Sequence, residues 1–299
     1  MARRRKGNKV DGWLVIDKDL GISSAKIVGA VKRIYGAQKV GHGGTLDPLA
    51  TGILPIGLGE ATKTMPFVVD ATKEYSFTVQ WGSSTDSDDC EGAIVASGGR
   101  LPSEDEVRGA LAGFTGSIQQ VPPAYSAIKV NGQRAYKLAR DGETVELKPR
   151  SVEIQTLSLV SHAPSGESSS FEVTCGKGTY VRSLGRDIAL KLGTYGHITA
   201  LRRLRVGPFK LSDAISLAKL EELGHSARAA EALLPITTAL DDIPAVAVTE
   251  AEAQDIRYGR SLTLDAAKQG TIVLMEGDRP VALAENLAGD VRPLRVFNM

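Results

Sequence analysis

Gly41-His42-Gly43-Gly44-Thr45-Leu46-Asp47-Pro48-Leu49-Ala50-Thr51-Gly52 places one carboxylate in a stretch with four glycines, directly before a proline. Glycine reaches backbone angles closed to other residues and lets a bulky ligand approach the main chain. Pro48 sets its own φ and biases Asp47 towards an extended conformation. The expectation is a stiff loop that presents a single acid to something large. An ordinary Asp-Pro turn has the same local composition.

Working outward, Trp13-Leu14-Val15-Ile16 reads as a short strand, followed by the turn Asp19-Leu20-Gly21 and a capping Ser23 or Ser24. Ile27, Val28, Val31 and Ile34 recur at helical spacing, and Gly36 closes that helix. Beyond the loop, residues 53–58 read as a buried strand and 61–67 as a short helix. Residues 73–81 alternate cleanly, with Tyr75, Phe77, Val79 and Trp81 on one face. Ser103 and Glu106 form a capping box ahead of Val107, Ala110 and Leu111. Further strands are expected at 125–130, 150–160, 170–175 and 198–206.

Strands and helices do not alternate as in a βαβ series. The fold class is therefore α+β, with a mixed, mostly antiparallel sheet flanked by helices. After residue 240 the character changes. Asp241-Asp242-Ile243-Pro244 reads as a linker, and strand-like pieces at 245–248, 271–276, 280–285 and 292–296 surround one helix at 250–258. The expected division is a large unit over 1–240, its residues 1–9 a basic arm, and a small β-rich unit over 245–299.

The composition sets limits. Hydrophobic residues make up 42% of the 299, enough for a substantial core. No apolar run approaches the roughly 18 residues of a membrane span, and none follows the basic N-terminus as in a secretion signal; the chain reads as cytoplasmic. Cys90 and Cys175 lie far apart and lack metal-type spacing. The net charge of +1 does not advertise a nucleic-acid partner, but a neutral total can hide a basic groove. The candidate cations are the N-terminal arm, Lys148 with Arg150, and Arg202, Arg203 and Arg205. Thr85 to Gly92 is rich in acids, yet an EF-hand loop would need an oxygen ligand at Cys90 and glycine at Glu91. It reads as a solvated turn.

The 41–52 stretch resembles the active-site loop of the TruB-type tRNA pseudouridine synthases, Gly-His-x-Gly-x-Leu-Asp-Pro-x-Ala-x-Gly. Four further elements resemble the family's in the same order. Lys18-Asp19-Leu20-Gly21-Ile22-Ser23-Ser24 is similar to Lys-Pro-x-Gly-x-Ser/Thr-Ser, with Asp19 in place of the proline. Lys73-Glu74-Tyr75 is similar to Lys-x-Tyr, Gly178-Thr179-Tyr180-Val181-Arg182 to Gly-Thr-Tyr-x-Arg, and Leu201-Arg202-Arg203 to Leu-Arg-Arg. Together they span roughly residues 10–210. The tail resembles a divergent PUA-type RNA-binding domain in size and strand content.

The resemblance implies an enzyme that isomerises the T-loop uridine of tRNA (position 55) and needs no cofactor or metal. Asp47 would be the nucleophile, because a carboxylate can add covalently and split a hard step into two easier ones. Attack on the ribose and attack on the base both remain open. Tyr75 would stack on the base, a contact worth roughly 1–3 kcal/mol. Arg182 would pair with Asp47 and keep it ionised, as a nearby cation does. Val181, Leu184, Ile188 and Leu192 independently mark a helix beginning near Tyr180, which puts Arg182 in its first turn. A cation there opposes the helix dipole unless an anion sits close by. Tyr180 and Leu201 would wall the uracil pocket, with Arg202 and Arg203 nearby and Arg202 as a substrate-binding residue. His42 would lie against the RNA, and Lys18, in the element where Asp19 replaces the family proline, would be a further substrate-binding residue.

Other classes compete. An RNA-folding protein could keep the architecture without the chemistry, but Asp47, Tyr75 and Arg182 are all retained. A carboxylate glycosidase needs two opposed acids, and the loop supplies one. Within the family, the modest length and small tail favour the stand-alone type over guide-RNA-dependent relatives, and the resemblance then implies a monomer acting on the T-arm stem-loop of tRNA with no required protein partner.

Overall fold

The computed structural model describes residues 7–126, 128–130, 132–143, 145–224, 227–264 and 268–299. Most of the basic N-terminal arm, residues 1–6, lies outside them.

A ten-stranded mixed sheet organises the larger part of the chain. Its strands are β1 (Gly12–Lys18), β2 (Val40–His42), β3 (Ala50–Leu58), β4 (Lys73–Trp81), β5 (Gly116–Gln120), β6 (Arg150–His162), β7 (Ser168–Cys175), β8 (Gly196–Val206), β9 (Phe209–Lys210) and β10 (Ala214–Ser216). They run in the order β10-β1-β3-β8-β4-β7-β6-β5, with β2 on β3 and β9 on β8. Only the β1–β10 and β3–β8 pairings are parallel, so the sheet is mostly antiparallel.

Helices α1 (Ser24–Tyr35), α2 (Glu104–Leu111) and α3 (Val181–Lys191) contribute to the main core. Ile27 and Val31, Val107 and Leu111, and Leu184 and Ile188 meet Leu14, Ile16, Phe77, Val79 and Ile198 there. Each fully buried side chain of this kind contributes about 1.5–3 kcal/mol relative to exposure. The helix ends follow the expected chemistry. Ser23 caps α1, Gly36 closes it at φ 57°, and Ser103 with Glu106 forms the capping box of α2.

Strand β1 is buried on both faces. Leu14 and Ile16 join the helix-covered core, whereas Trp13 and Val15 enter a second cluster with Val206, Phe209 and Leu240. Val273, Leu283 and Phe297 complete that second cluster. Val273 and Leu283 belong to, and Phe297 directly follows, a C-terminal five-stranded sheet of β11 (Ala245–Ala247), β12 (Leu262–Thr263), β13 (Gly270–Glu276), β14 (Arg279–Leu287) and β15 (Asp290–Val296), in the order β11-β13-β14-β15-β12. Helix α4 (Glu250–Arg257) buries Ala253 and Ile256 against this sheet. The tail thus packs against the second apolar cluster, on the face of β1 away from the main core.

Two expectations are corrected. The strand expected at 125–130 shrinks to the pair Lys129–Val130 with Gln133–Arg134; residue 127 lies outside the described residues. The Tyr125 carbonyl instead accepts from Arg182, and the Ser126 carbonyl from the Tyr136 amide, so no ladder partner is left to these groups. The turn expected in solvent is also not solvated: Thr85, Ser87, Asp88 and Asp89 are buried. Arg182 and Arg186, one turn apart on α3, draw Asp89 and Asp88 inward as ion pairs. Among the described residues, no helix is long and apolar enough to cross a membrane.

Candidate active site

Asp47 sits between two residues that other elements hold. On one side, Ser24 donates its hydroxyl to the Leu46 carbonyl and accepts the Leu46 amide, both at 2.9 Å. On the other, the Pro48 carbonyl accepts from the Lys18 ammonium at 3.1 Å and the Gly21 amide at 2.8 Å. The two serines at the start of α1 therefore divide the work: Ser23 caps the helix and Ser24 fixes the loop. Gly52 ends the loop at φ 95°, where a Cβ would lie 2.2 Å from the Arg203 carbonyl oxygen. No larger residue fits that approach.

Arg182 is 4% exposed and carries the electrostatics of the site. One terminal nitrogen lies 2.9 Å from the Asp47 carboxylate and the other 3.2 Å from that of Asp89. The same two nitrogens donate to the Tyr125 and Ser87 carbonyls, each at 2.8 Å. Asp89 is itself held by the Ser87 hydroxyl at 2.6 Å and the Glu91 amide at 3.0 Å. Tyr180 is the N-cap of α3, so Arg182 stands in the first turn as expected. Two carboxylates there offset the dipole that would disfavour a cation. Asp47, half exposed, is the member of the group that a solvent-borne ligand can reach.

A cavity of about 350 Å³ opens beside this group, lined by Asp47, Tyr75, Tyr180, Arg182 and Leu201 together with Lys73 and Arg203. Tyr75 is raised in pKa by burial, an effect that Arg203 opposes. The Arg150 guanidinium covers the Tyr180 ring at 4.7 Å. Gln120 fixes that residue from the backbone, accepting the Tyr180 amide at 2.8 Å and donating to its carbonyl at 3.0 Å. A second cavity of about 510 Å³ lies across Arg182, bounded by Asp47, Asp86, Asp89 and Tyr125.

Five of the expected residues thus meet at one cavity: Asp47, Tyr75, Tyr180, Arg182 and Leu201. Lys18, His42 and Arg202 do not line it. Lys18 is fully buried, and its ammonium is taken by the carbonyls of Asp19, Ile22 and Pro48. It holds the loop and leaves no face for a substrate. Arg202 points to the opposite side of β8 and pairs with Asp17 at 2.8 Å. The side chain at the cavity is its neighbour Arg203, because successive strand residues face opposite ways. His42 lies on β2, half buried, with Nδ1 buried and unpartnered. Burial, then the charge of Arg203, lowers its pKa. Asp89 and Gln120 were missed, and of the two arginines expected near the pocket the wrong one, Arg202, was expected to bind substrate. Strand alternation with Leu201 in the pocket could have favoured Arg203 over Arg202.

A lone accessible carboxylate, paired with a buried arginine at the rim of an aromatic-lined cavity, is suited to nucleophilic attack on a flat ring or its sugar. Comparison with known proteins gives the family. Residues 32–181 match the N-terminal domain of the TruB family pseudouridylate synthases, and residues 182–241 match the tRNA pseudouridylate synthase B C-terminal domain. A tRNA pseudouridine synthase B of Bradyrhizobium diazoefficiens is 51% identical, covering 100% of this chain and 91% of the relative. One from Caulobacter sp. is 49% identical, covering 100% of both chains. Among solved structures, a chain of a Cbf5-Nop10-Gar1 complex aligns with TM-score 0.72 at 26% identity, covering 96% of this chain and 83% of that one. A chain of an H/ACA RNP bound to a substrate RNA containing 2'-deoxyuridine shares the fold, with TM-score 0.75, 24% identity and coverage of 100% and 92%.

Fold and site together define a pseudouridine synthase. The chain belongs to the TruB family of pseudouridylate synthases.

Proposed function

We propose that this protein converts the T-loop uridine of tRNA (position 55) to pseudouridine, with Asp47 as the nucleophile. The observation that carries the reading is the 2.9 Å pair between Arg182 and the accessible Asp47 at the cavity that Tyr75 lines. Full-length relatives named tRNA pseudouridine synthase B support the choice of tRNA.

The reaction breaks the bond from uracil N1 to ribose C1', turns the base, and joins C5 to C1'. One proton leaves C5 and one arrives at N1, so the atoms balance without a co-substrate. Asp47 adds covalently and leaves again, dividing the rearrangement into two steps. Before that, the uridine swings out of its stack, at a cost of a few kcal/mol. Tyr75 stacks on the extruded base, Tyr180 and Leu201 wall it, and His42 meets the RNA beside the loop. Arg182 positions the acid. The small C-terminal sheet serves as a PUA-like RNA-binding unit, with residues 1–240 as the catalytic unit. The enzyme acts in the cytoplasm as a monomer, without a protein partner, and recognises the shape of the T-arm.

The test is to incubate purified protein with an unmodified tRNA transcript and with an isolated T-arm stem-loop, and to map pseudouridine in both. Both substrates are modified at the T-loop uridine, and Asp47→Asn abolishes turnover while RNA affinity changes by less than about tenfold, roughly 1.4 kcal/mol. Near wild-type turnover in that variant would falsify the role of Asp47. Full activity on tRNA with none on the stem-loop would refute recognition by the T-arm alone.

A further inference from the structure

Strand β8 carries three arginines, and they are treated differently. Arg202 and Arg205 each pair with a carboxylate, Asp17 at 2.8 Å and Glu74 at 2.6 Å. Arg203 is only 1% exposed, and among the described residues no carboxylate lies within ion-pair distance of it. Its Nε donates to the Ile53 carbonyl at 2.7 Å, and its terminal nitrogens donate to the carbonyls of Gly44 at 3.1 Å and Thr45 at 3.5 Å. Its backbone is paired with Gly52 on one side and with Tyr75 on the other. A buried guanidinium without a counter-ion is costly, and an apolar side chain of similar volume is often no less stable in such a place. A role beyond packing follows from that imbalance.

We infer that Arg203 is a positioning residue for the isomerisation, tying the backbone of the Asp47 loop to the Tyr75 phenol across the floor of the cavity. The inference rests on the reading that Asp47 and Tyr75 act on a bound uridine. Arginine can only donate hydrogen bonds. Arg203 and Tyr75 are paired across β8 and β4 and both line the cavity, so in a contact between the two side chains the Tyr75 oxygen accepts and the phenol hydrogen is left to point elsewhere. Asp47 lies in the loop before β3 and Tyr75 on β4, and Arg203 bonds the loop backbone while facing the same cavity as Tyr75. The charge of Arg203 also acts on the phenol against the larger effect of burial.

The experiment uses the full chain with a tRNA transcript and four variants: Arg203→Lys, Arg203→Gln, Tyr75→Phe, and Tyr75→Phe with Arg203→Gln. Single-turnover rates and KM are measured alongside the titration of Tyr75 by NMR of ring-labelled tyrosine, assigned by its loss in Tyr75→Phe. Arg203→Gln lowers the rate by about tenfold or more, as expected for one charge-assisted contact, with KM changed less than about threefold. Arg203→Lys restores part of it. The Tyr75 pKa rises in Arg203→Gln, and in the Tyr75→Phe background the same substitution has a smaller effect on rate. An unchanged Tyr75 titration, or rate losses that simply multiply in the double variant, would reduce Arg203 to a scaffold residue and overturn the inference. If Arg203→Gln does not fold, the lysine variant decides: it must slow the rate without matching loss in KM. A wild-type protein that makes no pseudouridine, yet shows the Arg203-dependent titration, would count against the proposed function and not against the contact.

Discussion

The fully buried ammonium of Lys18 donates to the carbonyl of Pro48 at 3.1 Å, so the residue after Asp47 is held by a cation from β1. The same nitrogen reaches Ile22 at 2.7 Å and Asp19 at 2.9 Å. Burial lowers its pKa, and the charge of Asp47 opposes that shift. The lysine belongs to the support of the loop.

Lys18→Met strands these carbonyls, each of which costs about 1–3 kcal/mol if left unpaired. Urea denaturation should show a loss of about 2 kcal/mol or more, and turnover should fall further than RNA affinity. Equal losses in rate and affinity would instead put Lys18 against the RNA.

Asp89 shares Arg182 with Asp47. Asp89→Asn leaves Arg182 with one carboxylate and weakens its seating by about 1.5–3 kcal/mol, so turnover should drop by roughly ten- to a hundredfold. RNA binding should hold. Retained turnover in this variant would show that Asp47 alone positions the arginine.

Two glycines with left-handed backbones separate strain from collision. Gly21, at φ 78°, has nothing within 4 Å of a built Cβ, whereas at Gly52 the Arg203 carbonyl oxygen stands at 2.2 Å. Gly21→Ala should cost only the backbone penalty of about 1–2 kcal/mol. Gly52→Ala should cost distinctly more, and it should also reduce turnover, because the displaced strand carries Arg203. Matching thermal shifts for the two variants would contradict this.

Asp88 provides a pH test. Burial raises its pKa to about 6, against the pull of Arg186. With a folded pKa above the unfolded value of about 3.9, its contribution to stability is present below that value and is lost as pH rises through about 6. Wild type should therefore gain stability relative to Asp88→Asn on going from neutral pH to about pH 4. Asparagine also tolerates the left-handed φ of 62° at this position. A difference between the two proteins that does not vary with pH would show that Asp88 does not titrate in this window.

Much of the site was legible because its signals are local. Glycines and a proline around Asp47, alternation through Tyr75 and helical spacing after Tyr180 each describe a few adjacent residues, and the structure bears them out. The failures are equally specific. The acids of 85–92 look soluble from composition, and only the return of α3 buries them. Arg202 and Arg203 are the same residue type at adjacent positions, and only the facing of β8 distinguishes the one that reaches the cavity.

The sequence by itself determined the acid loop, the strand that carries Tyr75 and the helix that begins beside Arg182, because turn chemistry and periodicity act over a handful of residues. Only the tertiary structure decided which cation serves which carboxylate. Asp47, Asp89 and Arg182 lie far apart in the chain and meet because β8 joins β3 to β4 and α3 packs against the sheet they form. A charge has no periodic signature, and its partner is set by where the fold places it.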